Sequence, residues 1–176
     1  DLHSCPTRRS SDSANPTPEI MPEDIRAVAP DALIATGRSD YPNQVNNVLC
    51  FPFIFRGALD VGATEINDAM QVACVDGIAQ LARKTSSAET AEVYGDETLT
   101  FGADYLIPKP FDARLLAVVA GAVAKAGMDT GVAQNPLPDF EAYIDGLNAS
   151  VYRSSMIMRP VFENAMLQKR RIAFAE

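Results

Sequence analysis

Four side-chain amides stand within five positions, at Asn43, Gln44, Asn46 and Asn47, in the stretch SDYPNQVNN. Each amide carries two N–H donors and a carbonyl acceptor without formal charge. Where a strand gives way to a helix, outside the carboxyl ends of an open α/β sheet, such donors join the unpaired N–H groups of a helix start and attract anions. Neutral donors can hold an anionic ligand there without a fixed charge that would bind it too tightly. The same residue types also serve as caps and turn formers, with Ser39, Asp40, Asn43 and Asn47 closing a helix start. The spacing leaves both roles open. Among the neighbours, Arg38 has the reach to take a carboxylate or phosphate, and Tyr41 carries a proton but has no nameable base beside it. Asn15, between Ala14 and Pro16, reads first as an Asx turn. Cys50 and Cys74 lie in apolar helical contexts that favour inert packing.

The elements that must position these groups follow from punctuation and period. Pro16, Pro18 and Pro22 pin a loop, and Pro22 opens a short helix to Val28 with Glu23 and Asp24 against its N-terminal dipole. Ala32 to Thr36 is apolar without alternation and precedes Gly37, as expected of a strand buried on both faces of a parallel sheet. Val48 to Gly62, apolar on nearly every side, predicts a helix deep in a core, with Pro52 starting or kinking it. Thr64 is placed to cap a further helix, in which Ile66, Met70, Ala73, Cys74, Ile78 and Leu81 recur at helical spacing and Arg83 and Lys84 suit the C-terminal end. Pro108 and Pro110 hold an extended segment leading to a helix from about Asp112, rich in Ala and Gly between Leu115 and Ala126, with Gly127 to end it. Asp139 caps a longer helix that Pro160 interrupts, and KRRIAFAE reads as the opening of a strand in which the text stops.

Composition narrows the class. A chain of 176 residues can form one domain with a sizeable core, and 47% apolar with 22% charged residues is the balance of a globular protein. The net charge of -8 and the lack of a basic stripe argue against a nucleic-acid partner. The longest apolar run, Val48 to Phe55, falls far short of the ~20 residues that span a bilayer, so no membrane partner is expected. Three cysteines at unrelated spacings point to a reducing compartment. No GxGxxG, GxxxxGK[ST], GxSxG or paired-Cys zinc spacing occurs in the sequence.

Residues 1–13, DLHSCPTRRSSDS, have no hydrophobic period and resemble the conceptual translation of a sequencing adapter; a natural flexible tail is the alternative. They hold His3, the single histidine, so the rest offers no histidine base or ligand.

The phrases ANPTPEIMPE, DALIATGRSDYPNQVNNVLCFPFIFRGALDVGATEIN and FGADYLIPKPFDARL resemble the bacterial NADP-dependent malic enzymes, in particular the long form fused to a phosphate acetyltransferase-like domain. The resemblance covers residues 14–176 and implies a fragment truncated at both ends. Its fold would be α/β. Residues 14–130 would form the C-terminal part of a Rossmann-like NAD(P)-binding domain, followed by a mostly helical segment. Residues 131–168 would be a helical linker and 169–176 the start of the fused domain.

The implied reaction is the oxidative decarboxylation of malate to pyruvate and carbon dioxide with reduction of NADP, or of NAD, in the cytoplasm. Asn15, Asn46 and Asn47 match the family residues that contact substrate and cofactor. The family's catalytic Tyr and Lys and its acidic ligands for Mg2+ or Mn2+ have no counterpart here, so no catalytic or metal residue is assigned and the piece alone is expected to be inactive. Homo-oligomerisation is implied for the full-length protein. Ala103 and Ala113 stand where proline is expected in relatives, a change in loop stiffness. The rival reading, from the helical C-terminal half, is a non-catalytic helical interaction module.

Overall fold

The computed structural model describes residue 18, residues 20–84 and residues 99–151. The chain divides into two compact units, Asp1–Pro136 and Leu137–Glu176.

The first unit is built on helices. Helix α1, Pro22–Val28, starts on a proline, with Glu23 and Asp24 in its first turn, where the missing N–H costs nothing and the carboxylates face the dipole. A 3-10 turn, Asn47–Leu49, leads into α2, Phe51–Asp60, and Pro52 lies in the first turn of α2 rather than kinking it. Helix α3 spans Asp68–Ala82 and α4 spans Arg114–Asp129. Helix α4 packs against both α2 and α3. Between these helices lies an apolar core that includes Leu49, Ala58, Met70, Cys74, Leu81, Leu115, Val119 and Val123. Close approach at this core rests on small residues: Gly57 of α2 has the Ala120 carbonyl and Val123 of α4 directly against its α-carbon. Asp112, its side chain fully buried, accepts from the backbone N–H of Arg114 at 3.0 Å and from the Arg114 guanidinium at 2.6 Å, fixing the start of α4.

Several expectations are corrected. Residues 32–36 do not form a strand. Thr36 makes an isolated parallel bridge to Gln44, no extended strand occurs among the described residues, and Leu33 is 68% exposed. A strand is defined by its partner backbone, and among the described residues the β-bridge this segment makes is to the turn that follows. Among the described residues the α/β expectation is therefore met by helices alone.

Helix α2 is not buried all round, since Phe51, Phe55 and Leu59 are 63%, 46% and 75% exposed along one stripe. The α3–α4 pair covers only the face carrying Gly57 and Ala58. Thr64 does not cap α3. Its N–H is taken by the Val132 carbonyl at 3.0 Å, and Asn67 is the cap, accepting from the N–H of Met70 at 3.0 Å. Gly127 does not end α4 but packs within it beside Met70 and Val61. The chain turns away at Gly131, whose φ of 76° is the left-handed conformation that glycine adopts without penalty.

In the second unit a helix begins at residue 140, capped by Asp139, whose carboxylate accepts from the N–H of Ala142 at 2.9 Å. The assignments to residues 1–13, Asn15, Pro160 and 169–176 lie outside the described residues.

Candidate functional site

The amide cluster occupies the turn that joins residues 32–36 to α2, and its four members do different work. Asn43 is buried and turned inward. Its Nδ2 donates to the carbonyls of Ile34 at 2.9 Å and Ala103 at 2.7 Å, and its Oδ1 accepts from the N–H of Leu106 at 2.7 Å. Gln44 donates to the Gly37 carbonyl at 3.3 Å. Asn46, half-buried, is the N-cap of the 3-10 turn, with Oδ1 accepting from the N–H of Val48 at 3.0 Å. Its Nδ2 donors have no partner among the described residues. Asn47 is exposed, and its side-chain amide likewise meets no partner among the described residues. Cap and turn duties thus consume Asn43, Gln44 and the oxygen of Asn46, while the donors of Asn46 and Asn47 stay available to a ligand.

The charged neighbours are paired with one another. Arg38 forks onto Asp40, with Nε at 2.8 Å from one carboxylate oxygen and Nη2 at 2.5 Å from the other. That hydrogen bond holds the Asp40 carboxyl below its ordinary value and raises the guanidinium. The Arg38 guanidinium also sits 5.3 Å from the centre of the Tyr41 ring. With its fork taken by Asp40, Arg38 is not positioned to bind a ligand anion through that face. Tyr41 donates to Glu23 at 2.8 Å across from α1, and this bond pushes the phenol above its ordinary value. Tyr41 is therefore held as a donor to Glu23 and is a poor proton source near neutral pH. Burial pushes the Cys74 thiol up to about 11, which fits an inert core residue.

No family model matches the chain. Over 163 residues it is 58% identical to the NADP-dependent malic enzyme of Salmonella typhimurium, a match that covers 93% of this chain and 22% of that protein. The chain is homologous to a segment of the bacterial malic enzymes. An NAD-dependent malic enzyme of Rhizobium meliloti is 60% identical over 164 residues, covering 93% of this chain and 21% of its own length. Among solved structures, a malic enzyme from Pyrococcus horikoshii superposes with a TM-score of 0.69 at 36% identity, over 87% of this chain and 31% of that one. The chain thus spans only about a fifth of the length of the curated relatives it matches.

Neutral N–H donors such as these can orient a small carboxylate or carboxamide. The described residues hold no group of three or more His, Cys, Asp or Glu able to bind a metal ion, so no chemical step is assigned to a metal here. Asn15 lies outside the described residues. What sequence reasoning missed is the division of labour inside the cluster, above all the inward anchor at Asn43. The signal that could have marked it is position: a non-glycine residue in a tight turn after proline, where asparagine is the commonest tolerant side chain.

Proposed function

We propose that this chain supplies the substrate- and nicotinamide-facing amides of a malic enzyme that oxidatively decarboxylates malate to pyruvate and carbon dioxide. The supporting observation is that Asn46 and Asn47, inside a phrase that resembles the malic enzymes, keep their side-chain donors unpartnered among the described residues while their neighbours are consumed by the fold. Residues 14–130 correspond in this reading to the C-terminal part of the NAD(P)-binding domain, with 131–168 as a linker and 169–176 opening a further domain.

Asn46 and Asn47 would orient one malate carboxylate and, with Asn15, the carboxamide end of NADP or NAD. When bound, the nicotinamide supplies the hydride acceptor. The residues of this chain contribute by orientation, because donors fixed on a capped turn need no reorganisation as the substrate arrives. The groups that move protons and hold Mg2+ or Mn2+ belong elsewhere in the enzyme, so the 176-residue chain alone should not turn over malate.

The test is a chimaera in which the matched 163 residues of this chain replace the aligned stretch of the Salmonella enzyme. A hydrogen bond to a charged group is worth about 1.5–3 kcal/mol, so Asn46→Ala and Asn47→Ala should each lower kcat/KM for malate by about ten- to a hundredfold. Parent-like kcat/KM in both variants overturns the reading.

A further inference from the structure

Asn43 has a backbone φ of 55° and is the sole non-glycine residue with positive φ among the described residues. Asparagine enters this left-handed region more readily than other side chains but still at a cost, and such outliers persist where surrounding contacts over-determine them. The side chain is 4% exposed. Both Nδ2 hydrogens are used, on Ile34 and on Ala103, and Oδ1 is used by Leu106. The orientation of the amide is unambiguous, since a flipped group would aim its oxygen at two carbonyls.

One side chain therefore ties three segments: residues 32–36, the amide turn, and a tight turn around Gly102 and Tyr105 that lies about sixty positions away in sequence and whose ends exchange two backbone hydrogen bonds. A second clamp acts two residues further on, where the N–H of Val45 donates to the Thr36 carbonyl at 2.7 Å. Asn46 is the next residue, so these two clamps set its place in space together with the Gln44 bond to the Gly37 carbonyl and its own cap on Val48.

We infer that Asn43 is a positioning residue for the ligand-binding pair Asn46 and Asn47, acting through the backbone of the turn without touching substrate. The inference rests on the reading of Asn46 and Asn47 given above. Two substitutions separate its duties. Gly at 43 accepts the φ but removes all three side-chain bonds. Asp at 43 keeps the shape and the bond to Leu106 but sets a carboxylate oxygen against the carbonyls of Ile34 and Ala103.

In the same chimaera, Asn43→Gly should raise the KM for malate and lower kcat/KM by at least about tenfold, the scale on which misplacement by a fraction of an ångström acts. The folded fraction, followed by circular dichroism, should stay near that of the parent. Asn43→Asp should do the same, and more strongly above the carboxylate titration than below it. A merely structural Asn43 would reduce the active fraction, lowering kcat while leaving the malate KM at the parent value, and that result overturns the proposal. So does the loss of folding in both variants, which assigns Asn43 to stability alone. The Asn46→Ala and Asn47→Ala variants, assayed alongside, keep the two claims apart. Loss in those with parent kinetics in Asn43→Gly refutes positioning only, whereas parent kinetics in those refutes the ligand-binding role on which positioning depends.

Discussion

Gly57 and Gly77 are both buried glycines inside helices, yet alanine should have opposite effects at the two positions. At Gly57 a methyl group would lie inside contact distance of the Ala120 carbonyl oxygen and 2.9 Å from the β-carbon of Val123, both on α4. Ordinary carbon contacts lie at about 3.5–4.0 Å, so α2 and α4 must separate by roughly 1 Å. Alanine gains about 1 kcal/mol over glycine in a helix interior, but overpacking against backbone costs about 1–3 kcal/mol, and separation also loosens the core.

Gly57→Ala should therefore destabilise by about 1–2 kcal/mol, set by packing. At Gly77 the nearest atoms, on Val118 and Ala122, lie 3.6–3.7 Å away, which is ordinary contact. Gly77→Ala should stabilise by about 0.5–1 kcal/mol from backbone entropy. At about 2–4 °C per kcal/mol for a chain of this size, melts of the 176-residue chain followed by circular dichroism should move down by several degrees in the first variant and up by about 2 °C in the second. If Gly57→Ala melts at or above the parent, the α2–α4 crossing is not as close as described and the core argument fails with it.

Asn67 both caps α3 and donates to the hydroxyl of Thr130 at 2.9 Å, beyond the end of α4. Asn67→Ala should cost about 1 kcal/mol in urea denaturation, with Asn67→Asp, which keeps the capping oxygen, recovering most of it. Cys74 is 3% exposed with its thiol held at about 11, so at pH 8 peptide-level mass spectrometry should find it unmodified by iodoacetamide until the chain is unfolded. Because the folded thiol keeps its proton above the ordinary value of 9.0, this contribution to stability is complete below pH 9 and is lost as pH rises toward about 11. A Cys74→Ala variant should melt with a weaker dependence on pH over that window; an unchanged slope would show that burial of the thiol is not its cause.

Much of the helical frame was legible because its signals are local. Pro22 and Pro52 open helices through a missing N–H, Asp139 caps through an oxygen three residues from its partner, and α3 repeats apolar residues at helical spacing. The failures share one cause, which is that the deciding partner lies far away in sequence. Thr64 and Asn67 are both cap-forming types, asparagine the better of the two, and the cap is Asn67 while the backbone of Thr64 pairs with Val132. Gly127 and Gly131 are equally good helix stops by type, but the first keeps helical backbone beside Met70 and Val61 while the second takes the left-handed conformation with which the chain turns. Residues 32–36 have the composition of a strand, and composition cannot supply the neighbouring backbone that makes one.

The candidate site was subject to the same limit, and there it bears on function. Spacing displayed four amides of one chemical kind and gave no ground for ranking them. The ranking comes from Ile34, Ala103 and Leu106, which take up Asn43 completely, and from the N–H of Val48, which takes the oxygen of Asn46. A side chain whose donors and acceptor are all satisfied by its own fold has little left to offer a ligand without breaking a bond, whereas Asn47 and the nitrogen of Asn46 would exchange only water. On that ground the proposed ligand-facing role is given to two amides of the four, and the bonds of the other pair lie within the turn itself and its neighbours.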